Sequence, residues 1–195
     1  MLIIREHCVA TSFPKTEEII DNGKVNGVSA LDVQKILNLK HAWEFILDQD
    51  VIQSETNYYM LCHIAKLVNE RFFYDGGRIR GVPVTIGGCT YVPPIPIESV
   101  VIEKIDEIRK QKKEAINIAI ELCLYCMKTQ VFTDGNKRAA VIFANHYLIA
   151  HGMGCLVIPE QDVPEFKKLL VAYYEGEAIE VISEFMRERC WRKFY

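Results

Sequence analysis

The chain lacks most of what marks a secreted, membrane or nucleic-acid-binding protein. Its seven cysteines (Cys8, Cys62, Cys89, Cys123, Cys126, Cys155 and Cys190) are an odd, scattered set, unlike the even framework of a disulfide-stapled domain. Its start has no charged stretch followed by the apolar run of a signal peptide. Together these absences point to a reducing cytoplasm. Apolar stretches are broken by charges well before the ~18 residues of a membrane span. Neither sign of charge dominates: 23 Lys and Arg against 26 Asp and Glu leave a formal net charge of -3. No general basic surface for nucleic acid follows from that balance, so any anion site has to be local. Internal repeats, heptads and low-complexity segments are also missing.

What is present is the composition of an ordinary globular protein. The 195 residues are half apolar and a quarter charged, enough for one substantial core and one domain. Cys123 and Cys126 have the spacing of half a zinc site, but they lie in an apolar helical pattern with no matching second pair, so core packing is expected.

Ser29 reads as an N-cap, with Asp32 at the third helical position and Val28 packing on Val33, of a helix running through Ile36 and Leu37. A second helical pattern runs from about Thr56 to Phe72, with Met60, Ile64, Leu67 and Val68 on one face. Glycines and prolines then cluster between Asp75 and Pro96. There Pro83 to Ile86 and Cys89 to Val92 resemble two short strands about Gly87-Gly88, the one convincing hairpin. Pro93 to Pro96 ends it and leads into a helix through Val101, Ile105 and Ile108. Apolar residues recur at helical spacing from Ile116 to Met127 and again from Ala140 to Leu148. Two further helices follow Gly152-Met153-Gly154, the first capped by Asp162.

Between the two most apolar helices lies Val131-Phe132-Thr133-Asp134-Gly135-Asn136-Lys137-Arg138-Ala139-Ala140. It combines a carboxylate for a hard cation, a glycine that permits close backbone approach, and two cations at a helix start whose free N–H groups favour anions. These are the parts of a nucleotide phosphate loop. Each also has a plainer reading. Asp134 is a metal ligand or a helix cap, Gly135 and Asn136 are anion donors or a tight turn, and Lys137 is a phosphate contact or a solvated surface lysine. Arg138 has the fork and permanent charge suited to phosphate. Phe132 is a core anchor.

The run Gln130 to Ala140, with the hairpin upstream and a helix on each side, resembles the Fic/Doc (Fido) family. Typical Fic proteins carry His-Pro-Phe-x-(Asp or Glu)-Gly-Asn-Gly-Arg-x-x-Arg, and Doc-like members carry Asp-Ala-Asn-Lys-Arg-Thr-Ala. The likeness extends over roughly residues 54–175. It implies a mainly α Fic-type bundle of about seven or eight helices with one β-hairpin flap. The expected single domain has an N-terminal helical extension (1–53), a core (54–175) with its motif at 130–140, and a C-terminal helix (176–195). By the same likeness Asp134 would hold Mg²⁺, while Gly135, Asn136, Lys137 and Arg138 would hold the phosphates of ATP or another nucleotide. The flap, Val84, Thr85, Ile86, Gly87 and Gly88, would pair its backbone with an extended segment of a target protein; a purely structural hairpin is the alternative.

Two positions depart from the family pattern. Gln130 stands where the family has its general base, a histidine that takes the proton of the target hydroxyl. A carboxamide can orient that hydroxyl but cannot carry its proton away. Val141 stands where typical Fic proteins have a second arginine, the partner of an inhibitory glutamate, and Asp21-Asn22-Gly23 is only a faint echo of that inhibitory helix. His146 and His151, five apart on the following helix, cannot both face the loop, and the position of His63 relative to the loop is open. The resemblance therefore implies transfer of AMP from ATP to a protein hydroxyl, weak or lost. Its alternatives are a nucleotide-binding interaction protein without chemistry and a Doc-like phosphotransferase toxin with an antitoxin-like partner.

Overall fold

Every residue of one helix from Arg138 to Leu148 is buried, so the architecture is organised around that rod. A helix apolar all round can only sit inside others. The computed structural model describes residues 13–23 and 26–194; Cys8 lies outside them. Among the described residues the helices are α1 (Phe13–Asn22), α2 (Ala30–Leu47), α3 (Gln49–Ile52), α4 (Tyr58–Val68), α5 (Glu98–Arg109), α6 (Ala115–Thr129), α7 (Asn136–Ala150), α8 (Val163–Tyr174) and α9 (Ile179–Phe185). Among the same residues one antiparallel pair joins β1 (Cys155–Leu156) to β2 (Trp191–Arg192). The class is the expected one, mainly α with one small antiparallel pair. None of the described helices is long and apolar enough to cross a membrane.

α7 packs along α6 and against α2 and α4, and its Asn145 and His146 find partners inside this core. Asn145 donates to Val141 O and Leu156 O and accepts from Leu156 N–H, each at 2.8–2.9 Å, so it completes the pairing of β1. His146 is wholly buried, with Nδ1 2.8 Å from Thr56 Oγ1 and Nε2 2.8 Å from Val51 O. Because Val51 O can only accept, Nε2 carries the proton and Nδ1 accepts from the hydroxyl. Cys123 and Cys126 are core residues, and no group of three or more metal-ligating side chains occurs among the described residues.

Several local expectations need adjustment. Ser29 caps α2 as expected, accepting from Asp32 N–H. Asp162 occupies the N-cap position of α8, but its side chain makes no capping bond. The helix expected over residues 176–195 is short: α9 stops at Phe185, and a π-helical turn (Met186–Cys190) leads into β2. The two segments about Gly87-Gly88 run extended around a turn without ladder hydrogen bonds between them; the antiparallel pair of this fold lies elsewhere. Prolines at its two ends (Pro83, Pro93 and Pro94) bring no N–H to a ladder, and Arg80 takes up the flanking carbonyl groups of Val82, Pro93 and Pro94.

Burial lowers the pKa of His146 below 6.5, with the Val51 bond opposing. The folded chain therefore keeps this ring neutral at pH values where the unfolded chain protonates it. Its contribution is present above about pH 6.5 and is lost as the pH falls toward the folded value. The melting temperature should accordingly fall between pH 8 and pH 5, and His146→Gln should flatten that fall. An equal slope in both proteins would contradict this assignment.

Candidate functional site

The loop between α6 and α7 begins with a strained residue. Gln130 is the C-cap of α6 with φ 49 and ψ 63, the left-handed region that costs a non-glycine residue roughly 1–2 kcal/mol. Both ends of its side chain are tied down. Nε2 donates to Met127 O at 2.7 Å, and Oε1 accepts from Asn136 Nδ2 at 3.1 Å. The carboxamide has one remaining lone pair on Oε1 for an incoming hydroxyl.

Asn136 is the internal staple of this loop. Its Oδ1 accepts from Phe132 N–H at 2.8 Å, and its Nδ2 donates to Phe132 O at 2.7 Å as well as to Gln130. Because that amide is engaged within the loop, Asn136 presents an anion with its backbone N–H alone. Phe132 is buried, anchoring the loop as expected.

Gly135 is the N-cap of α7 with φ 75. A Cβ there would lie 2.7 Å from Asn69 Oδ1 and 3.0 Å from Asn69 Nδ2. The first helical bond runs from Ala139 N–H to Gly135 O, so the amide groups of residues 136–138 belong to the N-terminal turn that precedes it. Asp134 projects beside that turn with its side chain 51% exposed, and its Oδ2 accepts from Arg138 Nη2 at 3.0 Å. Arg138 itself is buried under the loop, whereas Lys137 is half-buried. The site thus joins a half-exposed carboxylate, a helix N-terminus and a fixed cation.

Arg80 is the residue that sequence reasoning missed. It is 3% exposed, and its guanidinium donates to Gln130 O (2.5 Å), Val82 O (2.8 Å), Pro94 O (2.6 Å), Pro93 O (3.3 Å) and Thr129 O (3.4 Å). Its own N–H donates to Val131 O. One side chain therefore caps the carbonyl end of α6 and ties both ends of the flap to the motif. Burial pushes its pKa down, with Tyr91 opposing. Asn69, 1% exposed, was missed as well; it donates to Asp134 O at 2.9 Å and to Gly76 O at 3.2 Å. A polar residue just past an apolar helix signals only a cap, and nothing in sequence distinguishes Arg80 from other arginines.

Within the flap, Ile86 is buried and Val84 half-buried, while Thr85, Gly87 and Gly88 are exposed. The backbone groups of residues 84–88 bond to no other backbone. Thr90 donates to Glu175 Oε1 from both N–H and Oγ at 2.9 Å, and these bonds, the backbone one first, hold the Glu175 carboxyl below its ordinary range. Val141 is 3% exposed in the core, so the position of the family's second arginine is closed by packing. The histidines lie in other settings. His146 is held by Thr56 and Val51, His151 is exposed with Nδ1 on Tyr147 O, and His63 stacks on Phe45 beside a cleft of about 560 Å³.

The Fic/DOC family model matches residues 55–148, which bracket this site. Solved structures share the fold. The Fic-1 fragment (residues 134–508) from C. elegans superposes with a TM-score of 0.73 at 18% identity, covering 95% of this chain and 57% of that one. A Fic-domain signaling protein from Bacteroides thetaiotaomicron gives 0.71 at 16%, covering 92% and 75%. A Fic family protein from Desulfovibrio desulfuricans gives 0.74 at 15%, covering 91% and 56%. The chain thus spans little more than half of the C. elegans and Desulfovibrio proteins. No curated protein matches the sequence. The fold is that of the Fic proteins.

Two substitutions test this construction. Arg80→Met leaves buried carbonyl groups without a charged donor and should cost about 3 kcal/mol or more in denaturant unfolding; a loss under about 0.5 kcal/mol, the size of a neutral surface change, would show that Arg80 is not the anchor. Gly135→Ala meets both the positive φ and the Asn69 amide, and should cost at least about 1 kcal/mol.

Proposed function

We propose that the chain is a Fic-type nucleotide-binding protein whose loop at 133–138 holds the phosphates of a magnesium-bound nucleotide. Its native transfer of AMP from ATP to a protein hydroxyl is weak or lost. The observation that carries this reading is the state of Gln130. A side chain that does not titrate, already bonded at both ends, stands where the proton of the acceptor would be removed, next to a loop that keeps Asp134, Gly135, Asn136 and Arg138 of the motif. The ~10² to 10⁴-fold that a general base contributes is missing.

The residues fit Mg²⁺ as a substrate-bridging ion. Magnesium typically takes one or two carboxylates and completes its shell with waters and phosphate oxygens, and Asp134 is a single, half-exposed carboxylate with one oxygen on Arg138. When bound, the ion neutralises phosphate charge. Arg138 holds Asp134 in place and supplies permanent charge beneath the loop, and the α7 amides offer donors to the phosphates. Gln130 orients the acceptor hydroxyl with its free lone pair. An extended target segment adds to the exposed, unpaired backbone of residues 84–88, where main-chain bonds give affinity. Catalysis left without a base rests on positioning and electrostatics.

The test uses ATP labelled at either the α- or the γ-phosphate, with Mg²⁺ and a cell lysate, for the native chain, Gln130→His and Asp134→Ala. Protein label from the α-position should be near background with the native chain and rise at least ~10²-fold with Gln130→His. Asp134→Ala should bring any label down. Label from the γ-position would instead identify a phosphotransferase, and undiminished labelling by Asp134→Ala would remove the metal assignment.

A further inference from the structure

We propose that Asn69 is the positioning residue of the motif loop, the side chain that sets the backbone under Asp134 and Gly135 and thereby aims the carboxylate and the α7 N-terminus. Its consequence for nucleotide rests on the function proposed above; its geometry does not. Both hydrogens of the Asn69 amide are spent on carbonyl groups from two different segments, Gly76 O and Asp134 O. Its Oδ1 is buried and has no donor among the described residues, and it lies 2.7 Å from where a side chain at position 135 would begin. A buried acceptor without a donor is destabilising. Its retention here marks a side chain placed for the loop rather than for stability.

Asn69 is in turn held from the N-terminal side of the chain. Asn38, wholly buried on α2, donates to Val68 O at 3.2 Å and Glu70 O at 2.7 Å, the carbonyl groups on either side of Asn69. Gln34 donates to Asn38 Oδ1 at 2.7 Å and accepts from Arg71 Nη1 at 3.1 Å. Carboxamides thus run in series from α2 to the motif, and the N-terminal extension is part of the site's support rather than a wrapper. Such outer partners hold a binding group in its productive geometry.

The test is Asn69→Asp, which keeps the shape of the side chain and removes its donors, with Asn69→Ser, too short to reach Asp134 O, as a second variant should the first not fold. Amide hydrogen exchange on the ligand-free proteins should show the bonded amide groups that frame the loop, Phe132 N–H on Asn136 Oδ1 and Ala139 N–H on Gly135 O, exchanging at least ~10-fold faster than in the unmodified chain, with the interiors of α6 and α7 unchanged. Acidification from pH 8 toward pH 5 should restore protection in N69D, relative to the unmodified chain at each pH. Its carboxyl, facing two carbonyl oxygens, takes up a proton and becomes a donor again. N69S should show no such rescue.

In calorimetry with Mg²⁺ and ATP the variants should bind at least ~10-fold more weakly than the unmodified chain. Exchange that rises equally in every helix, or stays unchanged in the loop, would overturn the proposal, as would loosening of the loop without loss of affinity. An unmodified chain that takes up no ATP would instead defeat the nucleotide reading, while hydrogen exchange still decides the role of Asn69.

Discussion

Two helices buried along most of their length must be joined by a six-residue turn, residues 130–135, and the polar ends this creates govern the rest of the molecule. α6 ends in carbonyl groups that water cannot fully reach, and α7 begins with amides of the opposite polarity. Arg80 resolves the first problem by covering the carbonyl groups of Thr129 and Gln130. Asn136 resolves the interior of the turn by bonding Phe132 on both sides. Gln130 and Gly135 both take positive φ, and the turn they frame brings the start of α7 beside Asp134. In the reading proposed above, that helix start is the anion site.

The same constraint explains why the flap is not a hairpin. Carbonyl groups of Val82, Pro93 and Pro94 are drawn onto Arg80 at its base, and Thr90 is held by Glu175. With both ends fixed this way the flap holds its place without cross-strand pairing, and the backbone of residues 84–88 bonds to no other backbone among the described residues. Ile86, tucked into the core, keeps the arm from lifting away. A joint that fixes the flap and the motif loop through one buried guanidinium also fixes their relative placement, which the proposed transfer between a nucleotide and a bound segment would require.

Much of this was legible in the sequence because the signals were local or periodic. The apolar spacing from Ile116 to Met127 and from Ala140 to Leu148 located the central pair, and glycine, asparagine and charge in one turn located the loop. Ser29 declared itself as a cap through its spacing to Asp32. What was not legible depends on side chains distant in sequence. Arg80 and Asn69 reach the motif from some fifty to sixty-five residues away, and their types carry no positional pattern. The alternation around Gly87-Gly88 suggested strands, but propensity in so short a segment yields to a tertiary contact that takes its carbonyl groups. The partners of Asn145 and His146, Leu156, Thr56 and Val51, are likewise distant in sequence.

The central claim is that the turn between α6 and α7 grips the phosphates of a magnesium-bound nucleotide. Isothermal titration of the chain with ATP and with adenosine, each with and without Mg²⁺, tests it most directly. The account predicts saturable uptake of one ATP per chain, weakened when Mg²⁺ is withheld, and no comparable uptake of adenosine. No heat with ATP and Mg²⁺, or adenosine bound as tightly as ATP, would contradict it.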